Sequence, residues 1–488
     1  MDKNYIFQLA IDMHKTGKLA EAKIYYLQLL NNNFRKDEVL HLLGTVEFEL
    51  KNFISALNFV EESISINFNN ENAHSNRGLI LQNLNMLNES LNSFDEAISI
   101  NPNFFEAYSN RGNVLNELKR FDQAIESYNK SIAINPNYAK AYYNLGCTYK
   151  KINKLKDAIY NFDKALEIDP NYINAIIHKS SIELLKGNFK VGMTLSERRF
   201  ELKSSGLFKR NFNKPRWTGK ENLKNKKILL ISEQGLGDII QYCRYVTLLK
   251  NLGAIVIFEV PKKLIPLLSS LDGVALFVEQ NKIISSYDFY CPLLSLPLAF
   301  NTDLTTIPNN IPYLSVAENL KFKWKNYIGL EGFKIGICWQ GNKASELDKG
   351  RNFPVRLFES ISNMKNVRLI SLQKNDGIEQ LNYLSKKIRI EKLPDDFDEN
   401  GNSFLDTAAV MNCLDLIITS DTSLTHLAGA LGVDTWLVLQ LVPHSTWLLN
   451  TDKSSWYPRH KLFRQKQIGD WESVFEEIKD QLQKKFTK

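Results

Sequence analysis

The chain has no run of 18 apolar residues, so no segment reads as a helical membrane span. It has only five cysteines in 488 residues (Cys147, Cys243, Cys291, Cys338 and Cys413), none in a Cys-x-x-Cys pair. That scatter offers neither a zinc knuckle nor a disulfide framework, and it fits a reducing compartment. The opening Met1-Asp2-Lys3-Asn4-Tyr5 lacks a basic stretch leading into an apolar one, so no secretory leader is expected and the expected location is cytoplasmic. A net charge of +7 is small for this length and does not call for a nucleic-acid partner. With 44% apolar and 24% charged residues, the composition is that of an ordinary globular protein of several domains.

What is present first is a period. Pro102, Pro136 and Pro170 stand 34 residues apart, each after Asn or Asp, and Phe34 and Phe68 continue the register backwards. Between the prolines run Ala73-x-x-Asn76-x-Gly78, Ala107-Tyr108-x-Asn110-x-Gly112 and Ala141-Tyr142-x-Asn144-x-Gly146. Each is followed by a second stripe, such as Phe121-x-x-Ala124-Ile125-x-x-Tyr128 or Leu155-x-x-Ala158-Ile159-x-x-Phe162. Apolar residues at i, i+3, i+4 and i+7 predict one buried face per helix, and proline ends each unit because it cannot continue a helix. One unit cannot bury its stripe alone, whereas stacked units can. The pattern resembles the tetratricopeptide repeat (TPR) family, with about five units after a degenerate start. The resemblance implies an all-α superhelix over residues 1–200, with a groove that binds a peptide or a protein. Asn76, Asn110 and Asn144 recur at one position per unit and could form a ladder, because each amide both donates and accepts. Similar ladders occur in the TPR part of the protein O-GlcNAc transferases. The alternative is asparagine merely tolerated on a helix surface. Leu42 and His178 hold the matching positions at the ends, so only the middle units would grip.

Residues 201–226 read as a basic linker. From Lys203 to Lys227 the only acidic residue is Glu221, against a cluster that includes Arg210, Lys214, Arg216 and Lys224. Such a run is a solvated connector or, as the other reading, a peripheral contact with an anionic membrane surface.

The second half changes grammar. Lys227–Ser232 reads as a buried parallel strand, followed by Glu233-Gln234-Gly235-Leu236-Gly237-Asp238 and a helical pattern through Ile239, Cys243, Val246 and Leu249. Strand, glycine turn and helix open a doubly wound α/β domain. Further strands are expected at 254–260, 274–278 and 288–290. A second α/β pattern starts at Phe333–Trp339 with Gln340-Gly341-Asn342 after it, and continues with strands at 367–372, 414–419 and 436–439. The strand at 414–419 runs into Ser420-Asp421-Thr422-Ser423-Leu424-Thr425-His426 and a short helix. The expected organisation is therefore an all-α TPR superhelix followed by a GT-B fold. Its first Rossmann-like subdomain spans 227–318 and its second 319–488, and the likeness to GT-B glycosyltransferases implies the acceptor side for the first and the donor side for the second. Ligands of such sheets bind beyond the carboxyl ends of the strands.

From Trp217 onwards the chain resembles the glycosyltransferase family 9, or heptosyltransferase-like, enzymes, and the bacterial subgroup in which TPR units precede that domain. The matching stretches are Glu233–Tyr245, Pro292–Pro297, Gly336–Asn342, Asp406–Ala409, Ser420–Gly429, Trp456-Tyr457-Pro458 and Leu462–Gln465. The resemblance implies inverting transfer of a sugar from a nucleotide-diphosphate donor, with no metal and no cofactor beyond that co-substrate. It implies Asp238 as the general base, with Gly235 and Gly237 on the acceptor side, and Arg351 as the basic residue that offsets charge on the departing diphosphate. Gln340, Gly341, Asn342 and the loop Asp421, Thr422, Ser423, Leu424, Thr425 and His426 would hold the diphosphate, the loop preceding a helix whose N–H groups face the ligand. His444 and Trp447 read either as acceptor contacts or as part of an ordinary surface loop. Ser423 stands where the heptosyltransferases usually have glycine, which would narrow the loop. That departure motivates the alternative of a non-catalytic TPR scaffold with a degenerate nucleotide-sugar-binding domain. Asp395, Asp396 and Asp398 read as a solvated loop rather than a metal cluster.

Overall fold

The structure, a computed structural model, describes residues 2–202, 210–282, 284, 286–342, 350–385, 387–399 and 403–486. Its contacts divide the chain into two compact units, Met1–Ala175 and Ile176–Lys488.

The first unit is built of helices in consecutive pairs: α1 (Lys3–Lys15) with α2 (Leu19–Asn31), α3 (Lys36–Glu49) with α4 (Phe53–Ile66), α5 (Glu71–Asn83) with α6 (Leu87–Ile100), α7 (Phe105–Glu117) with α8 (Phe121–Ile134), and α9 (Ala139–Lys151) with α10 (Leu155–Ile168). The turn inside each pair holds one residue in the left-handed region: Gly17 (φ 75°), Lys51 (64°), Asn85 (61°), Lys119 (60°) and Asn153 (62°). That conformation lets the following N–H reach back to the preceding helix, as Arg120 N does to Leu115 O at 2.8 Å, and so closes the helix end. In α3, α5, α7 and α9 the glycine is a contact point. A Cβ on Gly112 would stand 2.6 Å from Tyr128 Cε1, and Gly78 and Gly146 meet Phe94 and Phe162 in the same way. The Gly and aromatic thus interlock in the last three pairs, while Gly44 of α3 meets Val60.

The asparagine positions are not three equivalent rungs. Asn76 Nδ2 lies 2.7 Å from His41 Nε2 and donates to Thr45 Oγ1 at 3.0 Å, so its donor is engaged inside the array. Asn110 is buried, and Asn144 Nδ2 is buried without a hydrogen-bond partner among the described residues.

The second unit starts inside α11 (Ile173–Leu185) and continues through α12 (Phe189–Ser196) and a 3-10 turn, Glu197–Glu201. The turn between α11 and α12 repeats the left-handed residue in register, at Gly187 (φ 86°). Yet Phe189 and Met193 of α12 enter the main core of this unit, together with Trp217 and the first sheet. The division therefore falls at Ala175/Ile176 rather than at 200/201, because these helices bury their apolar face in the α/β core.

The basic stretch differs from a loose linker too. Lys203 and Lys209 lie outside the described residues. Arg210 grips Glu259 with two 2.7 Å hydrogen bonds, Arg216 pairs with Glu197, and Trp217 is buried against Phe300. Trp217 N donates to Tyr290 O at 2.8 Å, which pins the segment to the sheet edge. Arg210 and Arg216, which look unpartnered along the sequence, are thus paired with carboxylates outside the stretch.

Among the described residues ten strands form two parallel sheets. β1 (Lys227–Ile231), β2 (Ile255–Val260), β3 (Val274–Glu279) and β4 (Phe289–Pro292) are ordered β3-β2-β1-β4. β5 (Phe333–Cys338), β6 (Val367–Ser371), β7 (Ile390–Glu391), β8 (Leu416–Ser420), β9 (Thr435–Leu439) and β10 (His460–Arg464) are ordered β10-β9-β8-β5-β6-β7. The strands expected from sequence are all there; β7 and β10 add to them. Helix α13 (Leu236–Tyr242) follows β1 directly. The far face of the larger sheet is covered by the C-terminal helix Trp471–Phe486, through Val474, Phe475, Ile478 and Leu482. Among the described residues no helix is long and apolar enough to cross a membrane.

Candidate functional site

Each sheet reverses its winding at one place, between β1 and β4 in the smaller and between β5 and β8 in the larger. A crevice opens at the carboxyl ends of strands where the order reverses. The candidate residues fall there: Gln234–Asp238 after β1, Gln340–Asn342 after β5, and Asp421–Ser423 after β8.

At the larger sheet, a cavity of about 480 Å³ is lined by Gln340, Gly341, Asn342, Thr422, Ser423 and Leu424, with Leu236 and Lys263 reaching in from the smaller sheet. Thr422 caps the helix Ser423–Leu431 with extended backbone (φ −133°, ψ 178°), but its hydroxyl makes no cap bond. Thr422 Oγ1, Ser420 Oγ and Arg351 Nε are buried and unpartnered among the described residues. Arg351 reaches the same loop, donating to Asp421 O at 3.3 Å, with its Nε 4.0 Å from the Asp421 carboxylate. The helix N-terminus with Thr422 at the cavity wall makes a cradle for an anion, whereas Arg351 is held at the same loop and does not itself line the cavity.

Sequence reasoning missed what shapes the loop after β5. Gln373 Oε1 accepts from Trp339 N and Gln340 N, both at 3.1 Å, while its Nε2 donates to Gln340 O at 2.9 Å. Gly341 N is held by Asn352 Oδ1 at 3.1 Å, and Gln340 Oε1 accepts from Gln380. Gln340 therefore lines the cavity with a side chain already engaged. A lone glutamine past a strand carries no motif, so Gln373 had no sequence signal.

At the smaller sheet, Asp238 is half-buried and its Oδ2 accepts the Gly235 N–H at 3.0 Å, so it caps its own helix. It also lines a second cavity, of about 180 Å³, with His444 and Trp456. Burial pushes the Asp238 carboxyl up, partly offset by His444, the Gly235 N–H and Arg351, while Glu233 pushes it further up. A carboxylate moved towards neutrality is a better proton acceptor at working pH.

The two sites meet at one contact. A Cβ on Gly237 would lie 3.0 Å from His426 Cδ2 and 3.3 Å from Ser423 Cα, so α13 and the helix Ser423–Leu431 are packed N-terminus to N-terminus. Leu236 faces the larger cavity and Asp238 the smaller, and among the described residues none lines both.

Other expected contacts have different roles. His426 does not line the larger cavity: its Nδ1 lies 3.0 Å from Tyr457 Oη, and its ring stacks on Trp447. Burial, then His444, His460 and nearby arginines, hold it well below the ordinary histidine range, so it is neutral and is no cation for a phosphate. Asp421 and Thr425 are buried behind the loop and do not line the cavity. Trp447 is core, stacked with the rings of His426 and His460, and lines neither cavity. Asp398 is no solvated loop residue: it accepts from Asp406 N at 2.8 Å and from the Thr407 hydroxyl, and so braces the start of the helix Leu405–Met411. Asp395 and Asp396 are exposed.

A repeat array joined to a parallel α/β unit with two apposed strand-end loops defines the class of this protein. Tetratricopeptide repeat models match residues 72–104, 93–126, 112–153 and 139–172, so the array is made of TPR units. Protein FlbA of Caulobacter vibrioides is 22% identical over 316 residues, covering 60% of this chain and 52% of FlbA. The chain thus spans about half the length of that curated relative. Among solved structures, MamA is 23% identical over 35% of this chain and 96% of its own, with a TM-score of 0.31. YrrB, titled a TPR protein with an unusual peptide-binding site, is 22% identical over 36% of this chain and 92% of its own, also at 0.31. The thermophilic TPR protein TTC0263 of Thermus thermophilus is 19% identical, covering 38% and 100%, at 0.33.

Proposed function

We propose that the second unit is an inverting glycosyltransferase of GT-B type, similar to the family 9 enzymes, and that the TPR array recruits its acceptor or a partner protein. The observation that carries this reading is the meeting of α13 with the helix Ser423–Leu431. It sets Asp238 on one side of the contact and the unpartnered Thr422 hydroxyl and Arg351 Nε on the other. In this mechanism a nucleotide-diphosphate sugar lies in the larger cavity with its phosphates at the helix N-terminus, beside the loop to which Arg351 is bonded. Asp238 accepts the proton of an acceptor hydroxyl as that oxygen bonds the anomeric carbon. The bond from that carbon to the diphosphate breaks on the opposite face, which inverts the centre. Arg351 and the helix dipole stabilise the charge left on the diphosphate.

The second reading is a TPR scaffold with a degenerate site. It is favoured by the separation of the base and the cradle, which face different cavities and must come together for transfer. Calorimetry against a panel of nucleotide sugars separates the two. The enzyme reading expects one donor to bind. It also expects Asp238→Asn to keep that binding while turnover falls by about 10²- to 10⁴-fold. Binding of no donor leaves the scaffold.

A further inference from the structure

The smaller cavity has a wall that no sequence motif pointed to. One side is the smaller sheet's crevice, with Gln234 and Asp238 after β1 and Leu294 and Pro297 after β4. The opposite side comes from α11, α12 and the turn after them, through Ile177, Ser181, Phe189, Met193 and Arg199. These helices keep the TPR turn geometry at Gly187, yet they form half of the chamber in front of the candidate base.

The charge of the chamber is legible. Apart from Asp238, the His444 ring and the Tyr242 phenol, which burial keeps protonated, its described lining holds one ionisable group, Arg199. A guanidinium has five N–H donors, and all of those of Arg199 are engaged. Nε and Nη2 bind the two oxygens of Glu233, both at 2.8 Å, Nη2 also binds Ser295 Oγ at 2.8 Å, and Nη1 binds Ser196 O at 3.2 Å and Glu197 at 2.8 Å. Nothing is left on it for a phosphate or carboxylate of a ligand, while Asp238 repels one. The remaining lining is aromatic and aliphatic: Phe189 stacks on Trp456 at 6.2 Å between ring centres, and Tyr242 meets Trp456 edge-on at 5.5 Å. Ser181 and Thr446 add hydroxyls. Apolar walls with a few polar groups suit a small neutral molecule. At about 30 Å³ per water, the space holds about six waters, the bulk of one side chain or one sugar ring.

We propose that this cavity is the acceptor pocket, that it admits an uncharged alcohol and excludes anionic ones, and that α11 and α12 set which alcohol enters. The proposal rests on the glycosyltransferase reading for the word acceptor, but its chemistry is testable without any donor. In the full-length protein, Ser181→Cys and, separately, Met193→Cys place a thiol on the wall, with the unsubstituted protein as the background for its own cysteines. Each variant is treated with a neutral and a sulfonate-bearing methanethiosulfonate, and rates are normalised to those of a free thiol. The neutral reagent should react about ten-fold faster, from repulsion by Asp238, and Asp238→Asn should bring the ratio near one. N-acetylserinamide or methyl glucoside should slow the neutral labelling, whereas N-acetylphosphoserinamide and glucose 6-phosphate should not. Which of the two neutral probes protects tells whether the alcohol is that of an amino acid or of a sugar. Equal labelling by both reagents at both positions, protection by the phosphorylated probes, or protection by neither neutral probe overturns the proposal. A protein that binds no nucleotide sugar at all would leave these outcomes readable, so the failure of the enzyme reading and the failure of this one are distinct.

Discussion

The bond between Arg199 and Glu233 should be among the most costly to break in the second unit. Both side chains are more than nine-tenths buried (8% and 7% exposed), and the pair is bidentate at 2.8 Å. Around it, Arg216 pairs with Glu197 and Glu197 with Arg199, so the cluster is balanced, two arginines against two glutamates. Arg199→Met leaves two glutamates facing one arginine out of water. Removing one partner of a buried pair costs about 3–5 kcal/mol, because the other charge stays desolvated. Urea unfolding followed by tryptophan fluorescence measures this cleanly. All seven tryptophans lie at or beyond Trp217, so the signal reports the second unit alone. With a slope of about 3 kcal/mol per molar, the midpoint should fall by about 1 M or more. Arg356→Met is the reference: Arg356 meets Glu472 with side chains 64% and 59% exposed, and such pairs contribute about 1 kcal/mol at most. Equal shifts in the two variants would refute the reasoning, since burial would then carry no weight.

Two further outcomes follow from the packing and the histidine cluster. Gly112→Ala should destabilise the array by up to about 2 kcal/mol, the cost of overpacking against Tyr128 less the gain in helix propensity; in a Tyr128→Leu background the same change should stabilise, and far-ultraviolet circular dichroism during unfolding checks both signs. Burial pushes His460 down to about 4, its Nε2 bonded to Thr425 O and its Nδ1 without a partner among the described residues. Because its folded pKa lies below the unfolded value, the unfolded chain takes up the proton first. The stability His460 contributes is therefore whole above pH of about 6.5 and is lost as pH falls towards 4, with a slope of up to about 1.4 kcal/mol per unit. His460→Asn should flatten the fall of the unfolding midpoint between pH of about 7 and 5; parallel curves for the two proteins would contradict the assignment.

The repeats were legible because a TPR unit is local: proline, glycine and aromatic positions recur wherever the same interlock is rebuilt, as Gly112 against Tyr128 shows. The strands after residue 227 were legible because buried parallel strands are short unbroken apolar runs. What the pattern could not show is a partner. Helix α12 keeps the repeat's turn at Gly187 but buries Phe189 and Met193 in another core, so periodicity placed the boundary too late. The basic stretch looked solvated because Glu197 and Glu259 are remote in sequence from the arginines they hold. Trp447 and His426 sit in suggestive stretches, yet their rings stack on each other in the interior. Gln373 organises the loop after β5 through its side-chain amide, a role that depends on position alone.

The last TPR-like helix pair has a consequence for how such a chain can change. A whole 34-residue step removed ahead of Asp169 takes no side chain from the α/β core. Past that point this no longer holds: a deletion reaching residue 200 takes Phe189, Met193 and Arg199 with it, so what reads as the tail of the repeats is a structural part of the α/β unit.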